Sequence, residues 1–168
     1  MAKVAFVIEA DFEDVEFEGP YDGVIEAGHD AVIVGTEAGK ELTGKRGDVT
    51  VTVEKTPGQV HVDDFDALVV PGGYSPDKLR MNDDIVKFVR GFFEADKPVA
   101  AICHAGQLLV EADVVEGRTM TSWPSVRKEL TLAGAEWVDQ EVVEDGNLIS
   151  SRNPDDVPAF TEALLARL

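Results

Sequence analysis

The sequence predicts an α/β fold in which helices cover both faces of a mostly parallel, doubly wound sheet. Short apolar runs of strand length alternate along the chain with segments whose apolar residues recur at helical spacing. No linker or low-complexity segment divides the 168 residues, a length that suits a single domain, residues 1–168. Strands that are regularly separated by helices form parallel sheets.

The first half of the chain begins with a βαβ unit. Its apolar run at residues 3–8 predicts a buried strand, residues 16–27 predict a helix that ends at Gly28, and residues 30–35 predict a second strand. The alternating stretch 49–53, entered through glycines, predicts a more exposed hairpin or extension. Residues 67–70 predict a third buried strand, which stops at a proline and two glycines.

The second half continues the alternation less regularly. Residues 82–95 carry large apolar side chains at helical spacing, and residues 99–102 form another strand-sized apolar run. The remaining predicted elements are a short helix at 106–112, a strand near Met120, a helix at 124–133, strands at 141–143 and 148–150, and a helix at 156–167.

The composition excludes several classes of partner. The formal net charge is −18, from 33 acidic and 15 basic residues, and the basic residues are scattered, so we expect no nucleic-acid partner. The longest apolar runs are strand-sized, and the N-terminal one is too short for a signal peptide, so we expect no membrane association and a cytoplasmic location. A carboxylate excess spread along the whole chain indicates a surface adapted to high salt.

The single cysteine, Cys103, lies where a predicted buried strand meets a predicted helix. A helix N-terminus offers partial positive charge and unpaired N–H groups, which lower the pKa of a thiol and can hold an oxyanion. The alternative is that Cys103 is a small buried hydrophobic residue. Its position beside His104 and Gly106 favours the catalytic interpretation.

Three loops should converge on this cysteine, because sites in doubly wound sheets form beyond the carboxyl ends of the strands. They are the loop after Ile8, the Gly72-Gly73 loop and the Cys103-His104 turn. Glycines let backbone approach a substrate closely, so the N–H groups of Gly73 and His104 are candidates for an oxyanion hole. A tight turn alone would also explain the two glycines.

Side chains for proton transfer are present in the same loops. Glu16, at the start of the first predicted helix, can donate a proton to a thiolate if its carboxyl is protonated, and Glu13 is a weaker candidate. His104 can accept or relay a proton, although a histidine at a helix start is often inert. With one cysteine and three histidines the chain shows no zinc-ligand spacing and no nucleotide-binding glycine motif, so no metal or cofactor is expected.

These motifs closely resemble the ThiJ/PfpI family, in particular its PfpI-type intracellular protease branch, and the resemblance covers almost the entire chain. The segments that carry it are 11–16 (DFEDVE), 43–45 (TGK), 69–73 (VVPGG), 101–106 (AICHAG), 121–124 (TSWP), 135–139 (AEWVD) and 150–155 (SSRNPD).

The resemblance implies a flavodoxin-like three-layer sandwich with Cys103 at a nucleophile elbow and Glu16 touching its sulfur. It implies dimers that assemble into hexamers, in which an acidic residue after the glycine loop reaches the Cys-His pair of a neighbouring subunit. Asp77 occupies that position here, one methylene shorter than the glutamate of protease-like members. The pocket that the resemblance implies is lined by Glu13, Lys45, Gly72 and Trp123, and Trp123 replaces a tyrosine.

Members of the family are peptidases, glyoxalases, deglycases or stress chaperones, and the catalytic ones add a cysteine thiolate to a carbonyl carbon. We therefore expect a cysteine-dependent hydrolase that acts on small carbonyl compounds, glycated proteins or peptides. The alternative is a redox-sensing stress protein or holdase chaperone whose cysteine is oxidised rather than turned over. Class I glutamine amidotransferases share the fold but need a histidine late in the chain, and none follows His104.

Overall fold

Six strands form one sheet in the computed structural model, which describes residues 1–168. In spatial order they are β2 (Asp30–Val34), β1 (Lys3–Val7), β5 (Ala67–Val70), β6 (Val99–Ile102), β10 (Leu148–Ser151) and β9 (Val143–Asp145). The first five are parallel, and β9 runs antiparallel to β10 at one edge. The predicted mostly parallel, doubly wound sheet is therefore confirmed.

Both faces of the sheet are buried, which explains why its strands read as continuous apolar runs. Along β1, Phe6 joins a core of 17 buried residues on one face, and Ala5 and Val7 join a core of 24 on the other. Successive side chains of a strand point to opposite faces, so a single run supplies both cores. Cys103 belongs to the smaller core.

Six α-helices flank the sheet, with bounds α1 (Asp14–Glu26), α2 (Ser75–Leu79), α3 (Asp83–Glu94), α4 (Gly106–Glu111), α5 (Arg127–Leu132) and α6 (Val157–Leu165). Helices α1 and α6 contribute to the smaller core, and α2 to α5 contribute to the larger one. Asn82 caps α3, since its side-chain oxygen accepts a hydrogen bond of 3.0 Å from the N–H of Ile85.

Two small sheets lie outside the main one. The antiparallel pair β3 (Glu41–Thr43) and β4 (Thr50–Thr52) confirms the predicted hairpin. The parallel pair β7 (Thr119–Met120) and β8 (Glu136–Trp137) contains a strand that the sequence pattern did not predict. Two residues are too few to show an alternating pattern, so β8 has no periodic signal.

Several predicted elements differ from the structure, among them the strand predicted at 141–143, which is β9 at Val143–Asp145. Helix α1 begins at Asp14, so Glu16 lies in its first turn and not at its start. The helix predicted at 124–133 is a 3₁₀ turn, Pro124–Val126, followed by α5. The short helix α2 was not predicted, because its five residues begin beside a proline and contain little apolar spacing.

None of the helices combines the length and the apolar character that crossing a bilayer requires.

Candidate active site

The cysteine lies at a sharp turn between strand and helix. Strand β6 ends at Ile102, a 3₁₀ turn spans Cys103–Ala105, and α4 follows directly. Cys103 has a φ of 63°, in the left-handed region that residues other than glycine seldom adopt. Such a conformation at the end of a buried strand is the geometry of a nucleophile elbow, and it aims the side chain out of the strand.

The three loops predicted to converge do meet at this turn. Phe12 forms an isolated bridge with Gly73, and the N–H of Glu13 donates to the carbonyl of Gly72 at 3.2 Å. A Cβ added to Gly72 would lie 2.7 Å from the Cβ of Cys103 and 2.5 Å from Oε1 of Glu16. Only glycine fits at this approach, so Gly72 is needed to bring the loop against the cysteine.

Two backbone amides face the sulfur. The N–H groups of Gly73 and His104 both hydrogen-bond Cys103 and lower the pKa of its thiol. Gly73 has a φ of 74°, a conformation that glycine adopts without strain. These two N–H groups are the ones that the sequence predicts to form an oxyanion hole, and the fold brings them together.

A carboxyl group is buried beneath the sulfur. Glu16 is fully buried, and its Oε1 accepts a hydrogen bond of 3.0 Å from the N–H of Gly72. Its Oε2 has no nitrogen or oxygen partner. Burial, with a smaller contribution from the charge of Glu13, raises the pKa of Glu16 to about 8. Glu16 therefore keeps its proton at neutral pH and can share it with the neighbouring side chain of Cys103.

The pKa of Cys103 differs from the expectation of a simple helix N-terminus. Burial and then the charge of an ionised Glu16 raise the pKa of the thiol, and the amides of Gly73 and His104 only partly oppose them. Two acids in one buried space cannot both ionise at low cost. A thiolate at Cys103 consequently requires the proton to stay on Glu16.

His104 is placed to take the thiol proton. Its Nδ1 lies 3.2 Å from Sγ of Cys103, and its Nε2 lies 3.4 Å from Oγ of Ser125. Burial and the nearby charge of Lys45 lower the pKa of His104, so the imidazole is neutral at pH 7. Trp123 stacks against the ring, with centroids 6.4 Å apart. Neutral His104 is thus a proton acceptor whose ring is held in place by Ser125 and Trp123.

Asp77 lies on α2, where its side chain is exposed, and it makes no hydrogen bond to His104 in this chain. Its charge does raise the pKa of His104, which opposes the effects of burial and Lys45. The contact with a neighbouring subunit that the family resemblance implies for Asp77 stays a prediction.

The sulfur opens into a cleft of about 240 Å³. The lining residues are Glu13, Lys45, Arg46, Cys103, His104, Trp123 and Pro154. Three of the four residues predicted to line the pocket are among them, while Gly72 lies behind the cysteine. Glu13 is almost fully buried and is paired with Lys45 at 2.9 Å and with Arg46 at 2.6 Å.

Sequence reasoning missed Arg46, Ser125 and Pro154. Arg46 follows Lys45 directly, so its adjacency to a predicted lining residue was an available signal. Ser125 directly follows the segment 121–124 and Pro154 lies in the segment 150–155, both of which carry the family resemblance, but neither residue was assigned to the site. No group of three or more histidine, cysteine, aspartate or glutamate side chains converges in a way that could hold a metal ion.

Comparison with known proteins identifies relatives along the whole length of the chain. The Protein/nucleic acid deglycase 2 of Escherichia coli is 46% identical over 167 residues, which cover 99% of this chain and 97% of that protein. The Deglycase PfpI of Pyrococcus furiosus is 45% identical, with 94% of both chains covered. The General stress protein 18 of Bacillus subtilis is 45% identical, with coverage of 99% and 97%.

Solved structures agree with the fold. Drosophila melanogaster DJ-1beta superimposes with a TM-score of 0.90 at 30% identity, covering 100% of this chain and 91% of that one. A two-domain protein of Anabaena variabilis with dj-1/thij/pfpi-like and ferritin-like domains gives a TM-score of 0.98 at 41% identity. The match covers 99% of this chain and 48% of that one, so this chain spans about half of the two-domain protein.

The fold is thus the flavodoxin-like sandwich that the sequence motifs imply. The DJ-1/PfpI family model matches residues 2–167. This chain belongs to the DJ-1/PfpI family.

Proposed function

We propose that the protein is a cysteine-dependent hydrolase that removes carbonyl adducts from amines and thiols, with Cys103 as the nucleophile. The observation that carries the proposal is the position of the sulfur between the N–H groups of Gly73 and His104, directly above the protonated carboxyl of Glu16. Relatives named as deglycases in Escherichia coli and Pyrococcus furiosus support the same class of reaction.

The reaction begins when His104 accepts the thiol proton through Nδ1. The amine or thiol leaves with the proton of the adjacent hydroxyl as its C–N or C–S bond in the adduct breaks, and an aldehyde remains beside the second carbonyl. The thiolate then forms a C–S bond with the aldehyde carbon, the π electron pair moves to the oxygen, and the N–H groups of Gly73 and His104 hold this oxyanion. With His104 as the proton carrier, the C–H proton of that carbon moves by way of an enediol to the neighbouring carbonyl carbon, so the aldehyde becomes a thioester while the second carbonyl becomes an alcohol, with no external oxidant. Water hydrolyses the thioester to a 2-hydroxy acid and restores the thiol.

Glu16 contributes by staying neutral. Its proton hydrogen-bonds the sulfur, which stabilises the thiolate without adding a second negative charge to the buried space. The residue therefore sets the pH range in which the thiolate exists.

Carbonyl adducts fit the site better than peptides do. In a peptidase triad a carboxylate orients the histidine, whereas here Nε2 of His104 faces the neutral hydroxyl of Ser125 and Asp77 is exposed. An aldehyde or ketone carbonyl is more electrophilic than a peptide carbonyl and needs less activation by a triad. The cleft of about 240 Å³ also suits a small adduct.

A redox role is the second candidate, and the relative named General stress protein 18 in Bacillus subtilis favours it. Peroxide would oxidise the Cys103 thiolate stepwise to a sulfinate, whose oxygens the two amides can hold. Saturable sulfinate formation at Cys103 under mild peroxide, in a protein that turns over no substrate, would replace the hydrolase proposal with this one.

The proposal is tested by assaying a peptide, methylglyoxal and a glycated amine side by side at molar salt. We expect turnover of the two carbonyl substrates, and a loss of at least about a thousandfold in Cys103→Ala and Cys103→Ser. Thermal unfolding must show that both variants remain folded. Near-normal turnover by folded Cys103→Ala would overturn the proposal, as would a wild-type preference for the peptide.

A further inference from the structure

We propose that Arg46 selects substrates that carry a carboxylate, so that the preferred substrate is the carbonyl adduct of an amino acid or a similar anionic metabolite. This inference rests on the proposed hydrolase function and names its substrate class. It comes from a guanidinium at the mouth of the cleft whose outer nitrogens have no partner.

Arg46 uses only one edge of its guanidinium within the protein. Its Nε donates to Oε1 of Glu13 at 2.6 Å, and neither Nη atom has a hydrogen-bond partner. An arginine fork binds a carboxylate through two parallel N–H donors. The partnerless Nη groups of a cleft-lining arginine are donors of this kind.

Lys45 is not equivalent to Arg46. Its ammonium is 2.9 Å from Oε2 of Glu13 and 5.4 Å from the centroid of the Tyr74 ring. Its side chain is 32% exposed. The Arg46 side chain is 59% exposed. Arg46 therefore lies farther out and is the cation that remains available to a ligand.

The Arg46 backbone is fixed by a buried carboxylate. Asp14, which is 1% exposed, accepts hydrogen bonds from the N–H groups of Arg46, Asp48 and Val49 at 2.9, 3.0 and 2.9 Å. The turn that carries Arg46 is thus anchored to helix α1, and Glu13 fixes the side chain. Less conformational entropy is lost on binding a ligand to a group that is held in place beforehand.

The lining of the cleft supplies cations that an anionic substrate can bind. They are Lys45 and Arg46, which lie beside the carboxylate of Glu13, while His104 is neutral. The charges of Asp14 and Asp48 also act on Arg46, that of Asp77 acts on His104, and the protein has a net charge of −18. Without a specific cation, such a protein would repel anions from its surface.

The two groups that a substrate would meet differ in exposure. Cys103 is 7% exposed, whereas the Arg46 side chain is 59% exposed. A substrate that contacts both therefore presents its reacting carbonyl to the buried group and its carboxylate to the exposed one, as an adduct formed on an amino acid can.

The test compares two substrates that differ only in this charge: the methylglyoxal hemithioacetals of N-acetylcysteine and of N-acetylcysteine amide, at fixed ionic strength. The readout is the ratio of kcat/KM for the acid to kcat/KM for the amide. We expect Arg46→Gln to lower this ratio about tenfold, because a charge-assisted hydrogen-bonded pair is lost. Arg46→Lys keeps the charge without the fork and should lower the ratio less.

Two control variants make the result specific. Lys87→Gln removes one positive charge from an exposed position on α3 and should leave the ratio unchanged. In Arg46→Gln, the carboxylate of Glu13 keeps only Lys45 as an ion-pair partner. The double variant Glu13→Gln/Arg46→Gln removes this carboxylate as well. If the ratio stays low in the double variant, Arg46 is the receptor; if it returns to the wild-type value, repulsion by Glu13 caused the loss and the inference is wrong.

A ratio in Arg46→Gln within twofold of the wild-type ratio would also overturn the inference. That outcome is distinct from failure of the proposed function. In the latter case, folded Cys103→Ala would turn over both hemithioacetals at near-normal rates, whatever residue occupies position 46.

Discussion

The chemistry of the site depends on where one proton resides. Glu16 and Cys103 occupy the same buried space, and the charge of an ionised Glu16 raises the pKa of the Cys103 thiol. With the proton on Glu16, the sulfur can become a thiolate that the two facing amides stabilise. With Glu16 ionised, thiolate formation would place two negative charges side by side.

Activity should therefore fall on the alkaline side as Glu16 ionises with its pKa of about 8. The protonated form of Glu16 is fully present well below this pH and is lost as the pH rises through it. Glu16→Gln keeps a donor to the sulfur but cannot ionise, so we expect it to remove this alkaline limb while lowering kcat/KM at pH 7 about tenfold. The pH dependence of kcat/KM measures both effects.

Glu13→Gln is the matched control for this pH profile. The charge of Glu13 raises the pKa of Glu16, so its removal should move the alkaline limb to lower pH without abolishing it. An alkaline limb that persists unchanged in Glu16→Gln would assign it to another group and contradict the role given to Glu16.

The sequence predicts part of this arrangement but not its energetics. Cys103, His104, Gly73 and Glu16 each lie at the end of a predicted strand or the start of a helix, and parallel topology brings such ends to one edge of the sheet. The raised pKa of Cys103 was not predictable, because it comes from burial by residues distant along the chain. The abundance of surface acids also concealed that Glu13, Asp14 and Glu16 are buried.

At the scale of elements, the turn between β3 and β4 connects the fold to the mouth of the cleft. The hairpin was predictable from the alternating pattern of residues 49–53, but its attachment to helix α1 was not, because Asp14 reads as one acid among several. The carboxylate of Asp14 accepts hydrogen bonds from three backbone N–H groups of the turn, which would otherwise bind water. The turn is therefore an ordered part of the active-site wall.

Asp14→Ala should destabilise the protein by about 3 kcal/mol, because it leaves the amides of Arg46, Asp48 and Val49 without a charged acceptor. For a domain of this size that corresponds to a fall in Tm of roughly 6–12 °C. Hydrogen exchange at these amides should accelerate more than exchange in the central strands. Asp22→Ala, at an exposed position on the same helix, is the control and should change neither measurement.

The stabilisation that Asp14 provides depends on pH in a predictable direction. The backbone hydrogen bonds outweigh burial and lower the pKa of Asp14 below its ordinary value. The stabilisation is present above the pKa of an unfolded aspartate and is lost as the pH falls through the lower, folded-state value. The difference in Tm between wild type and Asp14→Ala should shrink in acid, and a difference that is constant down to strong acid would contradict the assignment.

At the scale of the whole molecule, the dominant property is the net charge of −18 on 168 residues. The structure pairs some of the carboxylates and buries others, but many acids are exposed without an ion-pair partner, including Glu37, Glu94 and Glu141. Repulsion among such charges opposes the compact state, and it weakens when salt shortens the Debye length from about 10 Å at 0.1 M to about 3 Å at 1 M.

We therefore propose that the protein is adapted to high salt, and we expect its Tm to rise steadily from low salt to molar KCl. Relief of about 2 kcal/mol of repulsion would raise Tm by roughly 4–8 °C for a domain of this size. Salt also strengthens apolar burial, so the triple variant Glu37→Gln/Glu94→Gln/Glu141→Gln separates the two causes. If repulsion dominates, the triple variant has a higher Tm than wild type at low salt and a smaller rise with KCl. Full thermal stability of the wild type in buffer without added salt would refute the adaptation.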